Sequence, residues 1–102
     1  MIATGNMMNI REIENTVRTF IIDSFLTETD VARFRDDSDL LKVLDSLQIL
    51  RMVIAFEGVF DIKVADSDLL PENLGSVQKV AAFVLRKRRG HETLSEVEKA
   101  DT

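Results

Sequence analysis

Ser46 is the residue of this chain whose type and position best suit chemistry. It follows Asp45 and precedes Leu47, at the point where a predicted apolar helix begins. An Asp-Ser pair there is an ordinary helix N-cap, and capping alone explains so common a tripeptide. A serine at a helix start is also exposed, and the free N–H groups and positive dipole end favour a phosphate beside it. Ser46 therefore lies where a phosphate group would be favoured.

Other catalytic residue types are scarce. The chain has no cysteine and one histidine, His91, which lies in a polar segment near the C-terminus. Without a histidine base near Ser46, a glycine-flanked nucleophile turn or a cofactor loop, we do not expect an enzyme. The absence of cysteine excludes a disulfide framework and a thiolate zinc site, so any thiol must come from a cofactor.

The acidic cluster in the first half of the chain is the remaining candidate for a metal site. Asp36, Asp37 and Asp39 resemble part of a calcium loop but lack its glycine and terminal glutamate. We interpret them as turn and solubility residues. No metal site is predicted.

Composition limits the classes of protein to consider. The 102 residues are 45% hydrophobic and include six Phe but no Trp or Tyr, which predicts one small, mostly aliphatic core. A net charge of −5 opposes binding to nucleic acid. No apolar run is long enough to insert into a membrane, and the N-terminus lacks a secretion signal. We expect a soluble, cytoplasmic monomer.

Apolar periodicity predicts three main helices. The first runs from Asn9 to about Leu26, the second begins at Asp45-Ser46 and is loosened by Gly58, and the third begins at Ser76. Basic residues 86–89 and Gly90 are expected to end the third helix.

The segments between these helices have weaker patterns. Residues 27–42 predict a long ordered loop, fastened by the apolar side chains of Val31, Phe34, Leu40 and Leu41. Residues 60–64 predict an extended loop, and residues 66–70 one short helical turn that Pro71 stops.

The predicted fold class is therefore all-α: a small bundle of three main helices plus one short helix, with a long loop between helices 1 and 2. Residues 1–8 are expected to be a flexible N-terminus, residues 9–90 the folded domain and residues 91–102 a flexible C-terminal tail.

The triplet Asp45-Ser46-Leu47 and the segment from Phe56 to Val64 (FEGVFDIKV) together resemble the phosphopantetheine-dependent carrier family, which includes acyl and peptidyl carrier proteins. The resemblance spans roughly residues 9–88. It implies that 4′-phosphopantetheine is attached covalently to Ser46, with Asp45 and Leu47 beside it, and that the terminal thiol holds an acyl or aminoacyl cargo as a thioester.

The departures from the family pattern indicate a specialised, stand-alone member. Leu44 replaces the glycine that often precedes the aspartate, and Gln48 and Arg51 stand where housekeeping acyl carriers tend to have acidic residues. Residues 70–77, Leu-Pro-Glu-Asn-Leu-Gly-Ser-Val, look like those of carriers that work with adenylate-forming ligases. The pathway is expected to be a secondary-metabolite one or one that modifies polysaccharide or lipid.

The resemblance also implies a set of partners. These are a phosphopantetheinyl transferase, an adenylate-forming acyl or aminoacyl ligase and downstream acyl-transfer enzymes. The residues expected to contact them are Leu47, Gln48, Arg51 and Glu57. In the carrier family, the residue that follows the modified serine tends to be exposed, and the resemblance implies the same for Leu47. The sequence alone equally allows Leu47 to be buried beneath the first loop.

Two further interpretations stay open. Met52, Val53 and Phe56 could line an acyl pocket, although ordinary core packing explains them as well. An unmodified carrier-like domain could also act as a helical protein-interaction scaffold.

Overall fold

The computed structural model describes the backbone of residues 8–101 and the side chains of residues 8–89. Within these limits the chain is all-α and contains no strand, as predicted. Its elements, in chain order, are α1 (Ile10–Phe25), α2 (Glu28–Arg33), α3 (Leu40–Val43), α4 (Ser46–Phe60), a 3₁₀ helix (Asp66–Asp68), α5 (Pro71–Leu74) and α6 (Val77–Asp101). The three long helices, α1, α4 and α6, are the three main helices that the sequence predicted.

The start of helix α1 is fixed by its N-cap, and its buried face is formed by regularly spaced apolar residues. The Asn9 side chain accepts from the Glu12 N–H and the Glu12 carboxylate accepts from the Asn9 N–H, both at 2.9 Å. Ile13, Val17 and Ile21 recur every four residues and are fully buried. The predicted span is confirmed.

The connection between α1 and α4 (residues 26–45, the first connection) is more ordered than predicted. The expected loop contains α2 and α3. Thr27 accepts from the Asp30 N–H at 3.2 Å and starts α2. Asp39, which was interpreted as a turn residue, accepts from the Leu41 N–H at 3.0 Å and starts α3.

Four apolar residues were expected to fasten this connection, and they differ in burial. Leu40 is fully buried and Phe34 packs partly buried against the core. Val31 and Leu41 are 36% and 45% exposed, so they do not anchor it.

Helix α4 begins at Ser46 as predicted but continues through Gly58 to Phe60. Asp61 then takes a left-handed conformation (φ 56°), and the Ile62 N–H donates to the Glu57 carbonyl at 3.1 Å. The helix therefore ends at Asp61. The predicted extended loop is correct for residues 62–64 and wrong for Phe60, which is a buried helical residue.

The connection between α4 and α6 (residues 61–76, the second connection) has two short helices where one turn was predicted. The 3₁₀ helix occupies residues 66–68, and Pro71 then begins α5 rather than only stopping a helix. Proline is accepted at a first helical position because no N–H is needed there.

Ser76 begins α6 as predicted, with its hydroxyl accepting from the Lys79 N–H at 3.1 Å. The expected end at Gly90 is wrong, because the helical backbone continues to Asp101. A glycine inside a helix costs only about 1 kcal/mol, and the residues beyond it are mostly good helix formers. The flexibility expected of residues 91–102 stays a prediction, as do the domain limits, and residues 1–7 lie outside the described part.

The core lies between α1, α4, α5 and α6. It is mostly aliphatic as predicted, with Phe56 and Phe60 of α4 added at ring-centroid distances of 5.1 Å (Phe20–Phe56) and 5.5 Å (Phe56–Phe60). This packing holds α4 on one side and leaves its other side exposed, and the candidate site lies at its N-terminus.

Candidate functional site

The start of α4 is fixed by Asp45 and Gln48. The Asp45 carboxylate accepts from the Gln48 N–H at 2.8 Å, and the Gln48 side chain accepts from the Asp45 N–H at 3.0 Å. These reciprocal bonds form a capping box. The predicted cap is confirmed, and both side chains are engaged within the chain.

Ser46 is the first residue of α4, and it is exposed. Its N–H and that of Leu47 donate no hydrogen bond to the described residues. Two unpaired N–H groups and the positive end of a 15-residue helix therefore lie next to the hydroxyl. These groups fit a phosphodiester on the Ser46 oxygen.

An apolar groove opens beside Ser46 (the groove). It has a volume of about 490 Å³ and lies between α3, the first half of α4 and the second connection. Its lining residues are Leu41, Leu44, Ser46, Ile49, Leu50, Val53, Leu69, Leu70, Pro71 and Leu74. Ser46 is the only polar residue among them, and none is charged.

The three residues considered for an acyl pocket separate in the structure. Val53 lines the groove. All three belong to the core cluster, and Met52 and Phe56, which are 0% and 3% exposed, do not line the groove. Core packing is therefore their observed role.

The exposed side of α4 carries a row of apolar residues. Leu47, Leu50 and Ile54 are 56%, 47% and 59% exposed, and their spacing of three and four residues puts them on one face. Arg51 is exposed on the same face, and its guanidinium has no hydrogen bond or ion pair among residues 8–89. This α4 face, residues 47, 50, 51 and 54, is open to a partner. Leu47 is thus exposed, not buried beneath the first loop.

Glu57 is placed differently from the α4 face. It is half-buried, and its carboxylate accepts from the Val64 N–H at 2.8 Å. This bond folds the second connection back against α4.

The basic run at residues 86–89 also makes contacts within the chain. Arg86 donates to the Asn73 side chain at 2.9 Å, Lys87 pairs with Asp68 at 2.7 Å, and Arg88 donates to the Phe60 carbonyl at 2.8 Å. The run therefore fastens the second connection and the end of α4 to α6. The sequence predicted that this run ends the third helix and did not predict these contacts.

The acidic cluster is used for structure as well. Both Asp36 oxygens accept from the Arg18 guanidinium at 2.6 Å, and the hydrogen bond from Arg18 lowers the pKa of Asp36. Among the described residues, no group of three histidine, cysteine, aspartate or glutamate side chains could hold a metal ion. His91 lies outside the described side chains.

Curated proteins similar to this chain are carrier proteins. Over 79 residues the chain is 37% identical to an acyl carrier protein of Akkermansia muciniphila, covering 76% of this chain and 94% of that protein. Over 72 residues it is 31% identical to a D-alanyl carrier protein of Lactococcus lactis subsp. lactis, covering 67% of this chain and 91% of that protein. A D-alanyl carrier protein of Lactococcus lactis subsp. cremoris is 31% identical over 71 residues, covering 66% and 90% of the two chains. No family model matches the chain.

The fold and the exposed serine at a helix start define a carrier-type helical bundle. The chain belongs to the carrier protein family that includes acyl and D-alanyl carrier proteins. In the described part of the chain, α-helices long enough to span a bilayer are not apolar enough to do so.

Proposed function

We propose that this chain is an acyl carrier protein that bears 4′-phosphopantetheine on Ser46 and catalyses no reaction itself. The observation that carries the proposal is the exposed Ser46 hydroxyl, beside two unpaired helix N–H groups and at the edge of an apolar groove, in a member of the carrier family. The bound group would supply the thiol that the chain lacks.

The attachment step uses few residues of this chain. The Ser46 oxygen forms a new bond to the pantetheine-side phosphorus of coenzyme A, and the bond from that phosphorus to the bridging diphosphate oxygen breaks, which releases adenosine 3′,5′-bisphosphate. The hydroxyl proton leaves to a base of the phosphopantetheinyl transferase, because the described residues place no histidine beside Ser46. The free N–H groups of Ser46 and Leu47 then stabilise the phosphodiester.

The groove supports an apolar cargo. Its lining holds no carboxylate that could pair with the ammonium group of an aminoacyl cargo. An apolar chain that enters the groove moves from water to an apolar surface, which is favourable. An uncharged acyl group therefore fits the groove better than an aminoacyl group. The relatives include both an acyl carrier protein and D-alanyl carrier proteins. An adenylate-forming ligase would load this cargo, in a specialised pathway.

The α4 face supports a specific partner surface. Leu47 and Arg51 are free to contact a transferase, a ligase or a downstream acyl-transfer enzyme, whereas Gln48 and Glu57 already bond within the chain. Arg51 would repel basic partner surfaces and attract acidic ones. The cytoplasmic location and the monomeric state stay predictions.

The test is the intact mass of the chain after incubation with coenzyme A and a broad-specificity phosphopantetheinyl transferase. We expect a gain of one phosphopantetheine, absent in Ser46→Ala. Ser24→Ala is the matched control, because Ser24 is also an exposed helical serine but lies near the C-terminal end of α1. An unchanged mass with several transferases would favour the alternative, an unmodified scaffold that binds through the α4 face.

The partner assignment has a separate test. Arg51→Glu should slow loading by the cognate ligase and improve recognition by housekeeping acyl-carrier enzymes, each by about 5- to 10-fold, since a charge reversal at an interface changes the encounter rate. Arg11→Glu, an exposed position on α1 outside the α4 face, is the control, because it changes the net charge by the same amount and sign. Unchanged rates with both enzyme sets would refute a role for Arg51 in partner choice.

A further inference from the structure

The outer wall of the groove, residues 69–71, is held differently from the rest of the groove. Leu69 and Leu70 are 40% and 41% exposed and lie between two short helices. Leu41 and Leu50 are as exposed, at 45% and 47%, but each belongs to a helix. Little apolar burial therefore keeps residues 69–71 in place. Side-chain contacts hold this segment at its two ends, at Asp68 and Asn73, and the Leu70 carbonyl accepts from the N–H groups of Asn73 and Leu74 at 2.9 Å.

Asp68 fastens the first end. Its Oδ2 accepts from the Ala65 N–H at 2.9 Å and pairs with the Lys87 ammonium at 2.7 Å. Partial burial alone would raise the pKa of Asp68, but the hydrogen bonds from Lys87 and Ala65, with the charges of Lys87 and Arg86, outweigh it and lower the pKa. Asp68 therefore stays ionised and paired at neutral pH.

Asn73 fastens the second end and joins it to the first. Asn73 is buried, with 7% of its surface exposed. Its side-chain amide nitrogen donates to the Asp68 carbonyl at 2.8 Å. Its amide oxygen accepts from the Arg86 guanidinium at 2.9 Å. Both polar ends of this amide are thus used, one along the second connection and one toward α6.

The two basic residues are themselves held over an aromatic ring. The Arg86 and Lys87 charges lie 6.0 Å and 5.9 Å from the centroid of Phe83, which is buried in α6. These distances are at the outer limit of cation–π attraction, so the contacts with Asn73 and Asp68 are what direct the two side chains toward the second connection.

We propose that Asp68, Asn73, Arg86 and Lys87 form a polar latch that sets the position of the groove's outer wall, and that release of this latch opens the groove without unfolding the bundle. Asn73 is the central positioning residue, because it bonds to both Asp68 and Arg86. The link to cargo rests on the proposed carrier function, whereas the latch is a property of the unmodified chain.

The outer wall can open while the bundle stays folded because the contacts of the polar latch are weaker than those of the core. Partly exposed ion pairs and single hydrogen bonds are weak compared with the buried core formed by α1, α4 and α6. Segments held by such contacts open more often than the whole domain unfolds. The outer wall should therefore be the least stable part of the groove.

Hydrogen exchange on the unmodified full-length chain tests the latch directly. The Leu69 and Leu70 N–H groups donate to the Asp66 and Asp68 carbonyls at 3.1 and 2.8 Å, so both amides report on the outer wall. In Lys87→Met we expect these amides to exchange about 5- to 10-fold faster while those of α1 keep their wild-type rates. Asn73→Ala should give at least as large an effect.

Arg18→Met is the matched control, since it removes an ion pair of similar length in which neither residue lines the groove. It should leave the outer-wall amides at their wild-type rates. Lys87→Met keeps the proposal testable if Asn73→Ala does not fold. Outer-wall amides that exchange together with those of α4 in wild type and in Lys87→Met would overturn the latch.

A second readout connects the latch to cargo. With an octanoyl group on the Ser46 arm, hydroxylamine should cleave the thioester several-fold faster in Lys87→Met than in wild type or Arg18→Met. Equal cleavage in all three would overturn the role of the latch in shielding cargo. Failure to attach the arm would refute the carrier function, while the exchange result would still decide the latch.

Discussion

The two connections flank the same site but are held by different forces. The first connection has a fully buried anchor, Leu40, and a bidentate ion pair between Asp36 and Arg18. The second connection also has a buried leucine, Leu74, but its outer wall depends on the polar latch. The difference indicates that the first connection is a fixed support for α4, whereas the outer wall of the second is able to move.

The buried anchor of the first connection should give the largest effect. Leu40→Ala leaves a cavity in the core and should lower the free energy of unfolding by about 2–5 kcal/mol. Leu41→Ala, in the same short helix but 45% exposed, is the control and should cost less than about 1 kcal/mol. Urea denaturation measures both. Similar losses would show that burial does not distinguish these neighbours.

The two connections meet at Gly75. Its carbonyl accepts from the Leu40 N–H at 2.8 Å, and a Cβ at this position would lie 2.5 Å from the Pro71 carbonyl oxygen. Gly75→Ala should therefore displace α5 and lower the free energy of unfolding by about 1–3 kcal/mol. The Leu40 and Leu74 amides should both exchange faster. A loss below about 0.5 kcal/mol would mean that a small backbone shift relieves the contact.

The elements with local signals were predictable from sequence. Asn9 and Glu12 have capping-box spacing, Asp45 precedes the apolar residues of α4, and Ser76 caps α6. Each signal depends on residues within one or two turns, so no tertiary information was needed. The start of α4, and with it the place of Ser46, followed from such a signal.

The groove and the polar latch depend on contacts distant in sequence. The outer wall lies against α4 only because the second connection folds back, and Arg86 reaches Asn73 across 13 residues. Hydrophobic periodicity carries no information on such a contact. The predicted end of α6 was wrong although a local signal was present. Gly90 usually stops a helix, but the helix-forming residues on both sides of it allow α6 to continue.

The ion pair of the first connection should give an intermediate, pH-dependent effect. Arg18→Met should cost about 1–2 kcal/mol at pH 7, because the Asp36 carboxylate loses two charge-assisted hydrogen bonds. The pKa of Asp36 is lowered in the folded chain, so this contribution is present above its unfolded-state pKa and is lost as the pH falls through its folded-state pKa.

Denaturation from pH 7 to pH 2 measures this effect. The stabilities of wild type and Arg18→Met should converge as the pH falls below the unfolded-state pKa of Asp36, about 4. Asp37→Asn is the control, since Asp37 is exposed and makes no ion pair among the described residues. A difference between wild type and Arg18→Met that is constant with pH would assign the effect to packing of the Arg18 side chain instead.

The smallest expected effect has the opposite sign and lies in α4, between the two connections. A Cβ at Gly58 would meet no atom within 4 Å, and Gly58 is inside a regular helix. Gly58→Ala should therefore stabilise the chain by about 0.5–1 kcal/mol, because alanine loses less backbone entropy than glycine in a helix. We expect the Tm to rise in Gly58→Ala and to fall in Gly75→Ala. This pair of results would assign the first effect to backbone entropy and the second to steric contact. A lowered Tm in both would mean that the α4 helix needs a glycine before its left-handed end at Asp61.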